Sequence, residues 1–488
     1  MFVRNIAIFS IVDFVGIGIG ALTAPISTRL LSIDQYGALP LLMAVWSIFT
    51  IVQFVGMDSA FVMYRARGDH DTRSLIATST IVATCAAIVV WTLFGVVGLT
   101  TPWLSGYASV SKIEMAAFLC SVLPSTLIAW HLQLLRYMNE ALRFAKVTLV
   151  GRIASGIVAL PVMYVLPQGQ RLAGCLFTYA LFGFLSYVLA VREVRLSGFD
   201  PHARQFYSAP LVGPMITLGT ALIPGALVYS LNAVTDRLLL GWFSNTAEVA
   251  VFTLAGAVAG VALVFKAAFS RTWEPYVVNR IAMHDERLYL PQLQTAADFI
   301  GPLIVVATCL SLAWANTIFL TIFPTDYMGG GKLLPILVLA GTLGTLTIVA
   351  NLTELISGLA RYRLPIYAAG FLVNFSVCVM FIPQYGAYGA ALGVLAGETA
   401  ILLLWIILGR WLLGNLRLNW TISLCCVALS VVLSQVYRPG QFLQDWVVGE
   451  QLVVTAICAA VLWILGRRAL KRLESLQVSD DLGAIAAG

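Results

Sequence analysis

The sequence predicts an all-α polytopic membrane protein of about fourteen transmembrane helices, and three observations predict it. First, fourteen apolar segments of at least 17 residues alternate with short polar ones. At ~1.5 Å per residue, such segments are long enough to cross a hydrocarbon layer of ~30 Å. Second, Lys and Arg crowd into every second polar segment. One side of the membrane receives 22 of the 29 basic residues and the other six, with Lys266 left inside a span. Basic loops stay in the cytoplasm, so both termini are expected there. Third, 60% of the residues are hydrophobic and 11% charged, far from a soluble domain. Backbone polar groups in lipid must pair internally, and apolar runs of this length do so as helices.

The spans follow in order. Span 1 is Ile6–Leu31, behind Arg4, and span 2 is Leu39–Val62, ahead of Arg65, Arg67 and Arg73. Leu75–Thr100 and Ile113–Leu134 come next, the latter closed by Arg136, Arg143 and Lys146. Spans 5 and 6 are Val147–Leu166 and Leu172–Val191, followed by Arg192, Arg195 and Arg204. Val212–Thr235 and Ala247–Ser270 are spans 7 and 8, and Arg271, Arg280 and Arg287 follow. Thr295–Ile322, Leu333–Ile356, Leu364–Ile382 and Gly389–Leu408 complete twelve. Trp420–Val436 and Val447–Gly466 are the last pair, ahead of Arg467, Arg468, Lys471 and Arg472. An odd number of spans would break the charge register.

The composition excludes several classes. A net charge of +6 would suggest nucleic acid in a soluble protein, but here cytoplasmic loops facing anionic lipid account for it. The N-terminal apolar run is about 20 residues long and holds Asp13, so it is expected to remain as an uncleaved span. All eight cysteines fall inside spans without metal-ligand spacing. There is no paired-histidine zinc motif, phosphate-binding loop or nucleophile elbow, and no loop is long enough for a catalytic domain. No cofactor is expected, and the chain is not expected to be an enzyme.

The chain also reads as a parallel repeat. Ser27–Leu31 and Thr235–Leu239 close spans 1 and 7, and Leu166-Pro167-Gln168 and Ile382-Pro383-Gln384 close spans 5 and 11. Each match recurs six spans later, in the same membrane orientation, a common plan in transporters. The expected organisation is an N-lobe over residues 1–195, a cytoplasmic linker at 196–211, a C-lobe over 212–410, and a helix pair with a cytoplasmic tail at 411–488. Pro25 in span 1 and Pro224 in span 7 make the first helix of each lobe easy to bend, for gating or for ordinary packing. Gly389, Gly393 and Gly397 form a small-residue ladder suited to tight helix contact.

Ionisable groups within spans are costly and need a partner or a wet cavity. Asp13, Asp58, His131, Arg152 and Lys266 lie at similar depth, one or two turns from the cytoplasmic ends of their spans. Either they line a substrate cavity or they snorkel to the nearby interface. Arg29 and Arg237 occupy matching outer positions, where guanidinium groups could hold phosphate oxygens or anchor headgroups. A deeper set is Glu398, Thr399, Asn374, Asn232 and Asp236, on spans 12, 11 and 7. Carboxylate, amide and hydroxyl oxygens are the ligands of a Na⁺ or H⁺ site, and a protonated, hydrogen-bonded structural Glu398 is the alternative.

Four motifs carry a family resemblance. Pro25–Gly37 resembles the signature joining helices 1 and 2 of Wzx-type polysaccharide flippases, as does Gly56–Ala60 with the basic Tyr64–Arg67 after it. Asp236–Gly241 is similar to the helix 7 element of that family, and Ile382–Ala391 to its helix 11–12 turn; the 7–8 connection, Ser244–Phe252, departs from the pattern. These flippases belong to the multidrug/oligosaccharidyl-lipid/polysaccharide (MOP) exporter superfamily, with two six-helix lobes around a central cavity. The resemblance implies transport of undecaprenyl-diphosphate-linked oligosaccharide across the bacterial inner membrane by alternating access, driven by an ion gradient or the membrane potential. It implies a polysaccharide polymerase and a chain-length regulator as partners, and no nucleic acid. Spans 13 and 14 are similar to the extra pair of lipid II flippases. Two other readings stand beside it: a MATE-like drug or cation antiporter, which would want an acidic cavity, and a membrane polymerase or ligase, which would want a large periplasmic loop.

Overall fold

The computed structural model describes residues 2–488 except 68–69, 139, 202, 263–285, 358–361, 413–418, 420, 437–448, 466 and 469–488. Among the described residues every regular element is helical. Among those residues ten helices are long and apolar enough to cross a membrane, and four shorter apolar ones, Phe14–Leu30, Thr246–Val261, Thr421–Leu433 and Gly449–Leu465, bring the total to the fourteen expected. Two compact units divide the chain, Met1–Thr253 and Leu254–Gly488.

The first unit begins with α1 (Phe2–Leu30), α2 (Ile33–Gln53), α3 (Met57–Arg67) and α4 (Thr72–Thr100). The short α5 (Pro102–Tyr107) precedes α6 (Lys112–Tyr137), α7 (Ala141–Val165), α8 (Arg171–Leu196) and α9 (Ala209–Phe243), and the boundary between the units falls within α10 (Thr246–Ala262). Local chemistry sets the starts. Ser32 with Gln35 and Ser111 with Glu114 form capping boxes that satisfy orphan amides at the heads of α2 and α6, and Asp71 caps α4. The repeat places span 7 in the second lobe by counting spans. By packing, α9 lies with the first unit, against α2, α3 and α4.

Span 2 is not one helix. α2 stops at Gln53, and α3 starts at Met57 after a turn in which Val55 (φ 51°) and Gly56 (φ 67°) are both left-handed. Gly56 supplies that conformation at low cost, whereas a β-branched Val there is strained. The amide of Met57 bonds the carbonyl of Phe54 at 2.8 Å, so the chain re-enters a helix at once. The two prolines flagged as bending points lie inside continuous helices: α1 runs through Pro25 and α9 through Pro214 and Pro224. A buried cluster braces the break. Met57, Ala60 and Phe61 of α3 pack with Leu75 and Ile76 of α4, Trp130 and Leu134 of α6, and Leu211 and Met215 of α9. In lipid this packing, rather than any hydrophobic difference from the acyl chains, holds helices together.

The second unit holds α11 (Glu286–Ile322), α12 (Gly330–Ser357), α13 (Arg363–Tyr385), α14 (Ala387–Leu412), α15 (Thr421–Val436) and α16 (Gly449–Leu465). Its core joins Ile300 and Ile304 to Leu343 and Leu346 and to Ile401 and Trp405, so α11, α12 and α14 enclose it. The glycine ladder does bring α13 and α14 together: a Cβ on Gly393 would overlap Cys378 Sγ, and one on Gly397 would stand 2.9 Å from Asn374 Cβ. α16 is pinned to α11 by Trp314 Nε1 donating to Thr455 Oγ1 at 2.9 Å and Gln451 Nε2 donating to the carbonyl of Ala313 at 2.9 Å.

Candidate functional site: a polar cavity in the first unit

Three helix faces and the span 2 break enclose a cavity of about 480 Å³. α2 contributes Trp46, Thr50 and Gln53, spaced i, i+4, i+7, and α6 contributes Thr126, Ala129 and Gln133, spaced i, i+3, i+7, with Ser125 beside them. α9 closes the side with Gly219, Leu222, Ile223 and Ala226, and the break supplies Phe54, Gly56, Asp58 and Ser59. Each spacing is one face of a helix, so polar groups of α2 and α6 converge on the cavity while α9 presents it an apolar wall.

The wall beside the break is tight. A Cβ on Gly219 would lie 2.5 Å from the carbonyl oxygen of Val55, and one on Gly56 would overlap the Gly219 backbone, so α9 meets the break backbone to backbone. At the other end of α2, Thr246 Oγ1 donates to Asp34 Oδ1 at 2.6 Å, and the Tyr107 hydroxyl donates to the carbonyl of Leu238 at 2.5 Å. Burial pushes the Tyr107 hydroxyl well above the usual phenol range, which keeps it a donor. These bonds tie α2 to α10 and α5 to α9, and α9 itself meets α2 at that end where a Cβ on Gly241 would stand 2.7 Å from Leu41 Cδ1.

The hydrogen bonds inside the lining leave a biased set of free groups. Thr50 donates to the carbonyl of Ser47 and Ser125 to that of Val122, which leaves oxygen lone pairs. Thr126 donates to Gln53 Oε1 at 3.2 Å, which leaves the Gln53 amide N–H groups. Gln133 donates to the Tyr137 hydroxyl at 3.4 Å. Asp58, half-buried in the first turn of α3, makes no hydrogen bond or ion pair among the described residues. The N-terminal turn of a helix is where a negative side chain is stabilised.

The other expected residues are dispersed. His131 is fully buried; its Nδ1 lies 2.8 Å from the Leu127 carbonyl and its ring stands edge-on to Tyr187, in the α6–α8 seam rather than the cavity wall. The Arg152 guanidinium lies over Gly16 where α7 crosses α1. Arg29 is exposed at the end of α1 and donates to the Pro25 carbonyl at 2.9 Å. Arg237 has a buried Nε without a hydrogen-bond partner, and its backbone amide donates to the buried Asp236 at 2.8 Å. The Asn232 side-chain oxygen is likewise buried without a partner. Lys266 and the side chain of Asp13 lie outside the described residues.

The deep polar set divides between the units, Asn232 and Asp236 in the first and Asn374, Glu398 and Thr399 in the second. Asn374 is 2% exposed, and its Oδ1 accepts from Cys378 Sγ at 3.2 Å against the glycine ladder. Glu398 is half-buried one residue beyond Gly397, and Thr399 bonds its own helix at the Leu395 carbonyl. Among the described residues no group of three or more His, Cys, Asp or Glu is placed to hold a metal. Gln53, Gln133, Ser125 and Thr126 were not singled out from sequence, although the polar stripe at 126 and 133 on one helix face was there to be read.

The chain is thus a bundle of helices of membrane-crossing length that keeps a polar cavity between α2, α6 and α9. Residues 2–279 match the sequence model of the polysaccharide biosynthesis protein family, more than half of the chain, and the protein belongs to that family. No curated protein matches the chain. Among solved structures it is similar to the lipid II flippase MurJ in an inward closed conformation, with TM-score 0.69 and 13% identity over 95% of this chain and 99% of that one. It is also similar to an inward-facing multidrug resistance MATE family transporter of the MOP superfamily, with TM-score 0.61 and 14% identity over 82% and 95%. A mutant of the Vibrio cholerae MATE transporter VcmN gives TM-score 0.58 at 14% identity over 84% and 94%. At such identities the likeness is one of fold alone.

Proposed function

We propose that the protein moves undecaprenyl-diphosphate-linked oligosaccharide from the cytoplasmic to the periplasmic leaflet of the bacterial inner membrane, by alternating access. Both termini lie in the cytoplasm on this reading, and a polysaccharide polymerase and chain-length regulator act downstream. The observation that carries it is the cavity: seven polar side chains gathered between α2, α6 and α9 of a polysaccharide biosynthesis family member. Polar groups at that depth are costly unless they meet a polar cargo. No nucleotide motif is present in the sequence, so the driving force is an ion gradient or the membrane potential, worth ~2.3 kcal/mol per charge per 100 mV. Asn374, Glu398 and Thr399 are the proposed Na⁺ or H⁺ ligands, Arg29 and Arg237 the proposed contacts of the diphosphate, and Pro25 and Pro224 the proposed gating bends.

Deleting the gene should abolish the surface glycan and accumulate its lipid-linked precursor on the cytoplasmic leaflet. Restoration of both by the wild-type chain supports the reading, and an unchanged surface glycan refutes it. One observation favours a second reading: the single unpartnered carboxylate of Asp58 beside Trp46 and Phe54 is also what an organic cation would seek. Increased drug susceptibility of the deletion strain, with normal glycan, would select that one.

A further inference from the structure

We infer that the cavity between α2, α6 and α9 is a subsite for uncharged sugar, selecting the neutral glycan part of the cargo and rejecting anionic groups. The inference rests on the flippase reading and adds which chemistry this wall recognises. Its basis is the donor and acceptor balance of the lining. Among the described residues no Lys, Arg or His lines the cavity. Asp58 offers acceptors only, and Thr50 and Ser125 have spent their protons on backbone carbonyls, so they too present lone pairs. Free donors are the Gln53 amide, the second N–H of Gln133 and the Ser59 hydroxyl, set against the acceptors of Asp58, Thr50, Ser125, Thr126 and the Gln133 carbonyl.

A diphosphate, or the carboxylate of a uronic acid, brings only acceptors and a negative charge, so it would face unmatched lone pairs and the Asp58 carboxylate. Each unmatched buried polar group costs more than a made bond returns. A sugar brings a hydroxyl donor at almost every ring carbon, and acceptors to meet the few donors. Trp46 and Phe54 offer flat apolar faces for the C–H side of the ring. The volume of about 480 Å³ falls within the range of small-molecule sites, about 300–1,000 Å³. A quaternary cation would use Asp58 and the aromatic rings but would leave Thr50, Ser125 and Gln133 without donors. The diphosphate is therefore held elsewhere than this wall, and Asp58 is a specificity-determining residue against acidic glycans.

Saturation-transfer NMR on the full chain in lipid nanodiscs tests this with named probes: glucose, galactose, N-acetylglucosamine, glucuronate, pyrophosphate and tetraphenylphosphonium. At least one neutral sugar should receive saturation above the empty-disc control, while glucuronate and pyrophosphate should not. Asp58→Asn should weaken that sugar by about tenfold, since it replaces a hydrogen bond to a charged acceptor by a neutral one. Gln133→Glu should weaken it as well while leaving the melting temperature unchanged, a control for folding. No neutral-sugar signal, an equal signal from glucuronate, or displacement of the sugar by tetraphenylphosphonium would each overturn the inference. The surface-glycan assay reports separately: a deletion strain with normal glycan sinks the flippase reading whatever the nanodiscs show.

Discussion

The contact between the span 2 break and α9 makes a quantitative prediction about Gly56. Replacing it with Ala forces a side chain into a left-handed conformation, φ 67°, at a cost of about 1–2 kcal/mol. The new methyl would also overlap the backbone of Gly219, which cannot swing aside as a side chain can, adding about 1–3 kcal/mol of overpacking. The sum, about 2–5 kcal/mol, is a large part of an ordinary folding stability of about 5–15 kcal/mol. Gly219→Ala meets the same wall from within a regular helix, so it should cost only the overpacking, about 1–3 kcal/mol. Once the two backbones have parted for one methyl, the second has room, and the double variant should be less destabilised than the sum by about 0.5–3 kcal/mol. Gly225→Ala, also in α9 but with nothing within 4 Å of its Cβ, is the control and should be neutral or stabilising. Melting of the purified protein gives the ranking, and surface glycan in complemented deletion strains shows whether transport falls with it. Gly56→Ala with unchanged melting and transport, or strict additivity with Gly219→Ala, would refute the close contact.

Three further outcomes follow from other sites. Gly393→Ala should destabilise the α13–α14 seam by about 1–3 kcal/mol, and Cys378→Ala in the same chain should recover part of the loss, because Cys378 Sγ occupies the space the methyl would take; thermal melting of both variants reads this. Glu398→Gln should slow turnover and flatten its dependence on Na⁺ or pH in proteoliposomes, without changing cargo binding; undiminished ion dependence would remove Glu398 from the coupling set. Tyr107→Phe deletes one hydrogen bond to the Leu238 carbonyl and should lower stability by about 0.5–1.5 kcal/mol, and loosening of this end of α9 should appear as faster hydrogen exchange around Leu238.

The number of helices was legible because it depends on quantities a sequence carries directly, the length of apolar runs and the side on which Arg and Lys fall. The glycine ladder was legible for the same reason: Gly389, Gly393 and Gly397 repeat every four residues, and a helix so built has a face without side chains. The break in span 2 was not. Phe54-Val55-Gly56 is as apolar as its surroundings, and in lipid, hydropathy does not distinguish a turn braced by neighbours from a turn of helix. Proline marks an easy bend rather than a break, and Pro25 and Pro224 both sit in helices that continue through them. For the cavity, sequence found Asp58 because a carboxylate is conspicuous in an apolar run. It passed over Gln53 and Gln133, each of which alone resembles an interfacial residue and gains meaning only when α2 and α6 are known to face each other. His131 shows the converse: its depth suggested a cavity, while its helix face turns it toward Tyr187.

The seat of Arg152 on Gly16 leaves free the order in which this protein can change. A Cβ on Gly16 would stand 3.0 Å from Cζ and 3.3 Å from Cδ of the arginine, and would overlap its terminal nitrogen. The atoms in the way are the far end of a long, exposed arginine, so a methyl at residue 16 would turn the guanidinium aside rather than part α1 from α7. Room at this crossing is thus held by a movable side chain, and changes at residues 16 and 152 can arrive in either order. The contrast is with Gly56 against Gly219, where backbone meets backbone and neither side can yield alone.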